Sequence, residues 1–252
     1  MPKFKTSRLP AWTGRSLGEL GIIIVGILLA IAVDDRWTTR QERLEETEIL
    51  ETMTQDVAAS RTALRLTLDR LETAHRQLVV LSEGSDGRIS SANDEAVTQH
   101  LYSLFDLPPI TVSMSSYDEI KNSGRLRLLD SPVLRRRLAD FDAQYAFALQ
   151  THRDAFQHQQ LKLDPYLIEN VQMSQLSTLA LGEKADAGSE NQTLIPLVEI
   201  RDHRNLLNNA VFQNHVAFKY YLVAYYQEQL RILQSRIDEV GLAIDARLNE
   251  IR

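Results

Sequence analysis

The first apolar residues of the chain follow one another without a break. Residues 20–33 form a run of fourteen without a polar side chain, and counting back to residue 17 adds only Glu19 as a charged interruption. A membrane-spanning helix needs about 20 largely apolar residues, with a range of about 17–25. The pattern therefore predicts a transmembrane anchor over residues 17–37.

Two further features bear on whether this run is a retained anchor or a cleaved signal peptide. Trp12 and Trp37 bracket it, and would lie about 37 Å apart along a helix, close to the spacing of the aromatic belts of a bilayer. A cleaved signal peptide is the alternative, because a basic start, an apolar core and the small-x-small triplet at 30–32 fit its three parts. The helical pattern continues to Arg40, which favours a retained anchor, and cleavage after Ala32 stays open.

Beyond the anchor the apolar positions recur in steps of three and four, which is typical of helices packed along a seam. Residues 40–81 contain neither Gly nor Pro, and residues 203–248 contain one Gly and no Pro. The first seam consists of Leu50, Met53, Val57, Ser60, Leu64, Thr67, Leu71, Ala74, Leu78 and Leu81. The second consists of Phe212, Val216, Val223, Tyr226, Leu230, Leu233, Ile237, Val240, Ile244 and Ile251. Their matching length favours antiparallel pairing, and a parallel homodimer through the first seam is the alternative.

Turn-forming residues divide the middle of the chain. Loops rich in Gly and Ser are expected at 84–93 and 182–193, and Pro108 ends a short helix. A second short helix begins near Ser115 and ends at Gly124, a residue suited to a left-handed C-cap.

The next helix begins where Ser131 can cap and Pro132 can take the first helical position, and it is expected to run to about residue 162. Asp164 and Pro165 repeat that pattern, which predicts a kink with continuation to about residue 179. The predicted fold is all-α: a transmembrane helix followed by an elongated antiparallel bundle of about four long helices, one kinked, in up-down-up-down order.

Composition and charge predict on which side of the membrane this bundle lies. The chain of 252 residues has no Cys, which excludes disulfides and thiol chemistry, and its net charge of −6 argues against a nucleic-acid partner. Residues 1–16 hold four basic residues and no acidic one, so the positive-inside rule puts them in the cytoplasm. Residues 17–37 would span the inner membrane once, and residues 38–252 would form a periplasmic or extracellular domain.

Two segments are similar to an uncharacterised bacterial family of single-span membrane proteins. One is Gly18-Glu19-Leu20 followed by Val25 to Ala30 and Trp37, and the other runs from Tyr117-Asp118-Glu119-Ile120 through Ser123-Gly124 to Leu126. The family has two Asn before the Trp, where this chain has Asp35 and Arg36. The resemblance implies membrane attachment and helical content, and it carries over no activity, ligand or catalytic residue.

The sequence contains no constellation that indicates catalysis. It has no phosphate loop, dinucleotide-binding glycine motif or His-Glu-x-x-His zinc motif, and no two His are three or four residues apart. Asp154 and His158 could share a metal, but a surface pair is favoured because a metal site needs about three protein ligands. We therefore predict no enzyme activity, no cofactor and no metal site.

A stripe along the anchor is the first candidate contact. On a helical wheel Glu19 falls within about 20° of Gly26 and Ala30, and Gly18 belongs to the same spacing of small residues. Small residues let helices approach closely, and an intramembrane acid is a functional candidate. Snorkelling of Glu19 to the cytoplasmic interface is the alternative.

A group of tyrosines is the second candidate. Tyr221 and Tyr225 belong to a dense aromatic stretch of the last helix, and Tyr117 and Tyr145 lie on segments expected to pack nearby. Such residues can line a ligand pocket with apolar walls and polar handles, although a bundle core with hydroxyls at its rim is favoured. The basic cluster Arg135-Arg136-Arg137 is expected to be a solvated helix face paired with neighbouring acids.

Function is constrained only broadly by these observations. The first hypothesis is a scaffold or interaction subunit of the bacterial cell envelope, held in the lipid bilayer and bound to a protein partner or to further copies of itself. The second is a sensor whose bundle binds a ligand outside the membrane and acts through a separate membrane partner.

Overall fold

A computed structural model describes the backbone of residues 12–83, 100–173 and 204–251, and side chains within 24–82, 100–173 and 205–251. Every regular element in these ranges is helical, which confirms the all-α prediction. The α-helices are α1 (Trp12–Glu83), α2 (Ser115–Asn122), α3 (Pro132–His158), α4 (Asp164–Asn170), α5 (Arg204–Leu207) and α6 (Ala210–Ile251). The predicted loops, the tail before residue 12 and residues 174–179 lie outside the described residues. The predicted continuation to about residue 179 is wrong, because α4 ends at Asn170 and Val171 is extended, with φ −114° and ψ 141°.

Helix α1 is one uninterrupted element of 72 residues, about 108 Å long. It contains both the predicted anchor and the first seam, so no linker separates them. Among residues with described side chains, none of the helices contains a stretch long and apolar enough to cross a membrane. The first part of the predicted anchor, residues 17–23, lies where only the backbone is described, and the anchor stays a prediction.

The two seams form the core of the bundle. Each residue of the first seam is at most 5 % exposed, including Ser60 and Thr67, and the second seam is buried from Phe212 to Ile244. Only its last member, Ile251, is partly buried. The heptad pattern therefore predicted the inward faces of α1 and α6 correctly.

Helices α1 and α6 pair antiparallel, as predicted. Arg61 Nε donates to Asp238 Oδ1 at 2.6 Å near the middle, and Gln213 Nε2 contacts the carbonyl oxygen of Leu81 at 3.5 Å near the far end. Helix α6 therefore covers the first seam within one chain.

Helix α3 packs on the other side of α6, so α6 lies between α1 and α3. Arg137 Nη1 donates to Glu239 Oε2 at 3.0 Å, and Gln144 Nε2 donates to the carbonyl oxygen of Gln229 at 3.1 Å. These contacts make α3 antiparallel to α6 and parallel to α1.

The returning arm between α1 and α3 differs from the prediction of a fourth long helix. After a helical turn that ends at Phe105, residues 106–114 have no regular structure, and only the eight residues of α2 are helical before a 3₁₀ turn at Leu126–Leu128. Pro108 and Pro109 cannot donate backbone hydrogen bonds, which explains the break. The up-down-up-down order holds, because Ser60 Oγ donates to the carbonyl oxygen of Ser113 at 2.7 Å as the arm descends along α1.

Both ends of α2 are fixed by local chemistry. The carboxylate of Asp56 on α1 accepts from the backbone N–H and the hydroxyl of Ser116, at 2.8 and 2.7 Å, and so supplies negative charge to the helix start. At the other end Gly124 has φ +71°, and Arg125 N–H donates to the carbonyl oxygen of Ile120 at 2.9 Å. The predicted left-handed cap at Gly124 is confirmed.

Helix α3 begins as predicted, since Ser131 Oγ accepts from Leu134 N–H at 3.3 Å and Pro132 takes the first helical position. The prediction of a second cap at Asp164 is wrong: this residue is helical, with φ −60° and ψ −45°. A π turn, Gln159–Leu163, joins α3 to α4 instead. Pro165 has no N–H for the preceding turn, and a wider turn accommodates that loss.

The last helix is also divided where the sequence predicted continuity. The side chain of Asn209 accepts from the backbone N–H groups of Val211 and Phe212 at 2.8 and 3.2 Å, so α6 has its own N-cap after the short α5. An Asn satisfies the first free N–H groups of a helix and thereby starts a new one.

Candidate functional site

The N-terminal part of α1 is exposed: residues 24–33 are apolar, and the residues from Asp34 to Leu44 are mostly polar or charged. Every residue from 24 to 44 is exposed, and burial begins at Glu45 and Glu46. We call residues 24–44 the bare segment. Its large apolar side chains are between 49 and 66 % exposed: Ile24, Val25, Ile27, Leu28, Leu29, Ile31, Val33 and Trp37.

The bare segment carries part of the predicted contact stripe. Nothing lies within 4 Å of a Cβ placed on Gly26, so this position is open to an approaching helix. Ala30 lines a shallow groove with Leu29, Val33 and Trp37. Gly18 and Glu19 lie in the part of α1 whose side chains are not described, so the full stripe stays a prediction.

A buried ion pair holds the base of the bundle just above the bare segment. Arg247 of α6 donates from Nε to Glu46 Oε1 at 2.9 Å and from Nη2 to Oε2 at 2.8 Å, and Glu46 is 2 % exposed. Asp130 N–H donates to the same carboxylate at 2.8 Å. Hydrogen bonding to Glu46 raises the pKa of Arg247 against the opposing effect of burial. This bidentate contact joins α1, α6 and the chain before α3.

Beside this ion pair lies a cleft of about 360 Å³, which we call the basal cleft. It is lined by Thr39, Glu42, Arg43, Glu46, Arg127, Leu128, Asp130 and Arg247. Within the described chain neither Arg43 nor Arg127 forms an ion pair, whereas Arg247 is fully engaged by carboxylates. The cleft thus has the Glu46–Arg247 ion pair at its floor, and its lining also holds two arginines without an ion pair, Arg43 and Arg127.

A second polar feature lies inside the bundle, at Lys219. This residue is 2 % exposed, and its Nζ donates to Gln159 Oε1 at 2.5 Å, where Gln159 belongs to the π turn. Burial lowers the pKa of Lys219 to about 8, against the opposing effects of Asp106 and Asp164. We call the contact between Lys219 and Gln159 the lysine layer.

Sequence reasoning missed the lysine layer, although a signal was present. The second seam steps from Val216 to Val223 and omits the position between them, which is Lys219. A seven-residue gap in a seam of threes and fours marks a core position occupied by a polar side chain.

Imidazole rings surround the lysine layer. His152 and His158 of α3 lie beside Tyr226 and Phe218, with ring centroids 5.4 and 4.3 Å apart. Burial lowers the pKa of both histidines, and the charge of Lys219 lowers it further. His152 Nε2 is buried without a hydrogen-bond partner. Protonation there would create an unsatisfied buried cation.

The four predicted pocket tyrosines do not line one pocket. Tyr117 is buried and donates from its hydroxyl to Asp142 Oδ2 at 2.8 Å, and Tyr145 stacks on Phe141 with ring centroids 5.9 Å apart. Tyr221 and Tyr225 stack on each other on the outer face of α6, where they are 58 and 40 % exposed. Tyr117 is thus a core aromatic, and the structure does not bring the four tyrosines together around a shared cavity.

The remaining polar candidates have structural roles. Arg137 pairs with Glu239, as expected for a solvated helix face, and Arg135 donates to the carbonyl oxygen of Leu129. Asp154 accepts from Gln150 at 2.7 Å. Across the described ranges no three carboxylate or imidazole groups lie close enough together to hold a metal ion.

In a comparison with known proteins, no family model, no curated protein and no solved structure matches this chain.

Proposed function

We propose that this protein is a membrane-anchored helical scaffold of the bacterial cell envelope. The observation that carries the proposal is the apolar first half of the bare segment, residues 24–33, whose large side chains are exposed on every side of α1. A helix that is apolar all round is a buried helix, and here nothing in the described chain covers it. Lipid is the environment that would bury all its faces at once.

The aliphatic side chains of residues 24–33 favour insertion of this part of the helix. Seven large aliphatic side chains of the bare segment lie between Ile24 and Val33. At about 0.3–0.6 kcal/mol for each Leu, Ile or Val at the centre of a spanning helix, they contribute about 2–4 kcal/mol. The basic residues before residue 17 orient the span with its start in the cytoplasm, so the bundle stands outside.

The bundle then serves as a platform fixed to its anchor. Because α1 passes without interruption from the span into the core, the Glu46–Arg247 pair and the two seams tie the whole bundle to the membrane helix. A partner helix would contact the stripe of Glu19, Gly26 and Ala30. Interhelical polar contacts of this kind contribute about 0.6–2 kcal/mol.

Substitutions in the stripe test the partner contact. In the full-length protein, Gly26→Leu and Glu19→Ala should each lower the yield of in-membrane cross-linking or co-purification with a stoichiometric partner. Ile24→Leu is the matched control, since it changes another face of the same helix and keeps its apolar character. Unchanged yield in both stripe variants would refute the scaffold contact and leave a plain anchor.

A sensor is the second candidate, and the lysine layer favours it. A buried lysine bound to a π turn is an unusual element in a bundle core, and π turns occur frequently at functional sites. The continuous α1 would carry a change in the bundle to a membrane partner. Native mass spectrometry of the detergent extract distinguishes the two: a sensor retains a small molecule, and a scaffold retains a protein.

A further inference from the structure

The basal cleft lies where the proposed anchor meets the bundle. Its lining on α1 begins at Thr39 and ends at Glu46. At about 1.5 Å per residue, these positions lie about 3–14 Å beyond Trp37 along the helix. If Trp37 lies in the aromatic belt, the cleft opens at the level of the lipid headgroups. This placement rests on the proposed function, because it requires a span that ends near Trp37.

The basic and acidic side chains that line the cleft are equal in number. Its lining contains three cations, Arg43, Arg127 and Arg247, and three carboxylates, Glu42, Glu46 and Asp130. Arg247 and Glu46 neutralise each other in the floor. Asp130 Oδ2 also lies 3.5 Å from Arg247 Nη2, but the Asp130 side chain is 85 % exposed. Its carboxylate therefore remains accessible in the cleft, together with Glu42 and the guanidinium groups of Arg43 and Arg127.

We propose that the basal cleft binds the headgroup of a zwitterionic phospholipid, with its phosphate at Arg43 and Arg127 and its ammonium at Glu42 and Asp130. Guanidinium groups bind phosphate oxygens through paired, charge-assisted hydrogen bonds. Carboxylates accept from the ammonium group. The volume of about 360 Å³ falls within the usual range for a small-molecule site.

The balanced charge predicts which headgroup is bound. A net-anionic headgroup would satisfy the arginines and leave Glu42 and Asp130 facing the same negative charge. An ethanolamine headgroup is neutral as a whole, so it places one opposite charge beside each pair and keeps the net charge of the cleft at zero. The cleft should therefore prefer phosphatidylethanolamine to phosphatidylglycerol.

Native mass spectrometry of the full-length protein in detergent tests this preference. Delipidated protein is titrated with short-chain phosphatidylethanolamine, with short-chain phosphatidylglycerol and with soluble phosphoethanolamine. We expect phosphatidylethanolamine to bind at least about tenfold more tightly than the other two. Equal binding of the two lipids would overturn the zwitterion assignment, and equal binding of phosphoethanolamine would overturn the lipid as its source.

Variants locate the binding in the cleft. Arg127→Gln should weaken phosphatidylethanolamine binding about tenfold, and Glu42→Gln should reduce the preference over phosphatidylglycerol. Arg136→Gln is the matched control, because Arg136 is exposed on the neighbouring helix α3 and does not line the cleft. An equal loss of phosphatidylethanolamine binding in Arg136→Gln would overturn the assignment of the binding site to the basal cleft. A protein that resides in the membrane but shows no lipid preference refutes this inference alone, whereas a protein absent from membranes refutes the proposed function.

Discussion

Lys219 occupies a core position where the heptad pattern calls for an apolar side chain. Its ammonium group has one hydrogen-bond acceptor within the core, Gln159 Oε1, and gains partial compensation from Asp106 and Asp164. Buried charges of this kind cost stability even when they are paired. The lysine layer therefore joins the π turn to α6 without being a net source of stability.

Replacement of this lysine should stabilise the protein at neutral pH. The pKa of Lys219 is lowered from 10.5 to about 8, which corresponds to a cost of about 3 kcal/mol for its charged form. Lys219→Met removes this cost but leaves Gln159 Oε1 without its donor, at about 1–2 kcal/mol. We expect a net gain of about 1–2 kcal/mol in the free energy of unfolding at pH 7, measured by urea denaturation.

The stability difference between Lys219→Met and wild type should depend on pH. Between pH 8 and 10.5 the unfolded chain holds a proton on Lys219 that the folded chain has released, so wild-type stability rises with pH in this window. The advantage of Lys219→Met should therefore shrink as pH rises toward 10. A variant that is less stable than wild type at pH 7 would contradict this account of the lysine layer.

Acid should destabilise the same region. Burial lowers the pKa of His100, His152 and His158 below the unfolded value of 6.5, so the unfolded chain takes up protons first and stability falls as pH decreases through this value. His152→Gln removes one titrating group and keeps a donor for the backbone of Leu107. We expect a smaller loss of unfolding free energy between pH 7 and pH 5 in this variant, and an unchanged loss would contradict the role of His152.

Among the elements, α2 depends on a single backbone conformation at its end. Gly124 has φ +71° and nothing within 4 Å of its Cβ position, so a side chain there meets strain but no clash. Gly124→Ala should lower the free energy of unfolding by about 1 kcal/mol, because a left-handed conformation is costly for Ala. Gly124→Asn is the matched control, since Asn tolerates this region and should cost less. Equal losses of unfolding free energy in Gly124→Ala and Gly124→Asn would show that the left-handed conformation at the helix end does not cause the loss.

The sequence predicted helices where the apolar period is regular and failed where a local side chain overrides it. Both seams are correct because burial of one face requires a repeat of threes and fours. The division before α6 was missed because it depends on two backbone N–H groups that donate to one side chain, Asn209. The π turn was missed because Pro165 resembles a helix start, whereas packing of Gln159 and Leu163 keeps the chain helical there.

Candidate sites were harder to predict than elements. Tyr221 and Tyr225 are close together in the sequence, but the seam positions beside them are Val223 and Tyr226, which turns the other two outward. Density of aromatic residues along the chain thus did not indicate a shared face. The basal cleft could not be anticipated, because its lining comes from α1, α6 and the turn before α3.

At the scale of the whole molecule, the pairing of α1 with α6 fixes the bundle to the proposed anchor. Arg61→Cys and Asp238→Cys in one chain should cross-link within that chain through a short bismaleimide, because their side chains meet in the structure. Arg61→Cys with Asp245→Cys, two turns further along α6, is the control and should react poorly. Mobility under denaturing conditions reports the result. Efficient cross-linking of the Arg61→Cys, Asp245→Cys pair alone would contradict the register of α1 against α6.

The central claim is that α1 spans the membrane and continues into the bundle. Carbonate extraction of membranes from cells that express the full-length protein, followed by N-terminal sequencing of the retained fraction, tests it directly. The account predicts that the protein stays in the carbonate-washed membrane and keeps Met1 or Pro2, whereas replacing Ile27 and Leu28 by Lys releases it. Recovery of the wild-type protein in the carbonate supernatant, or a sequence that begins at Val33, would contradict it.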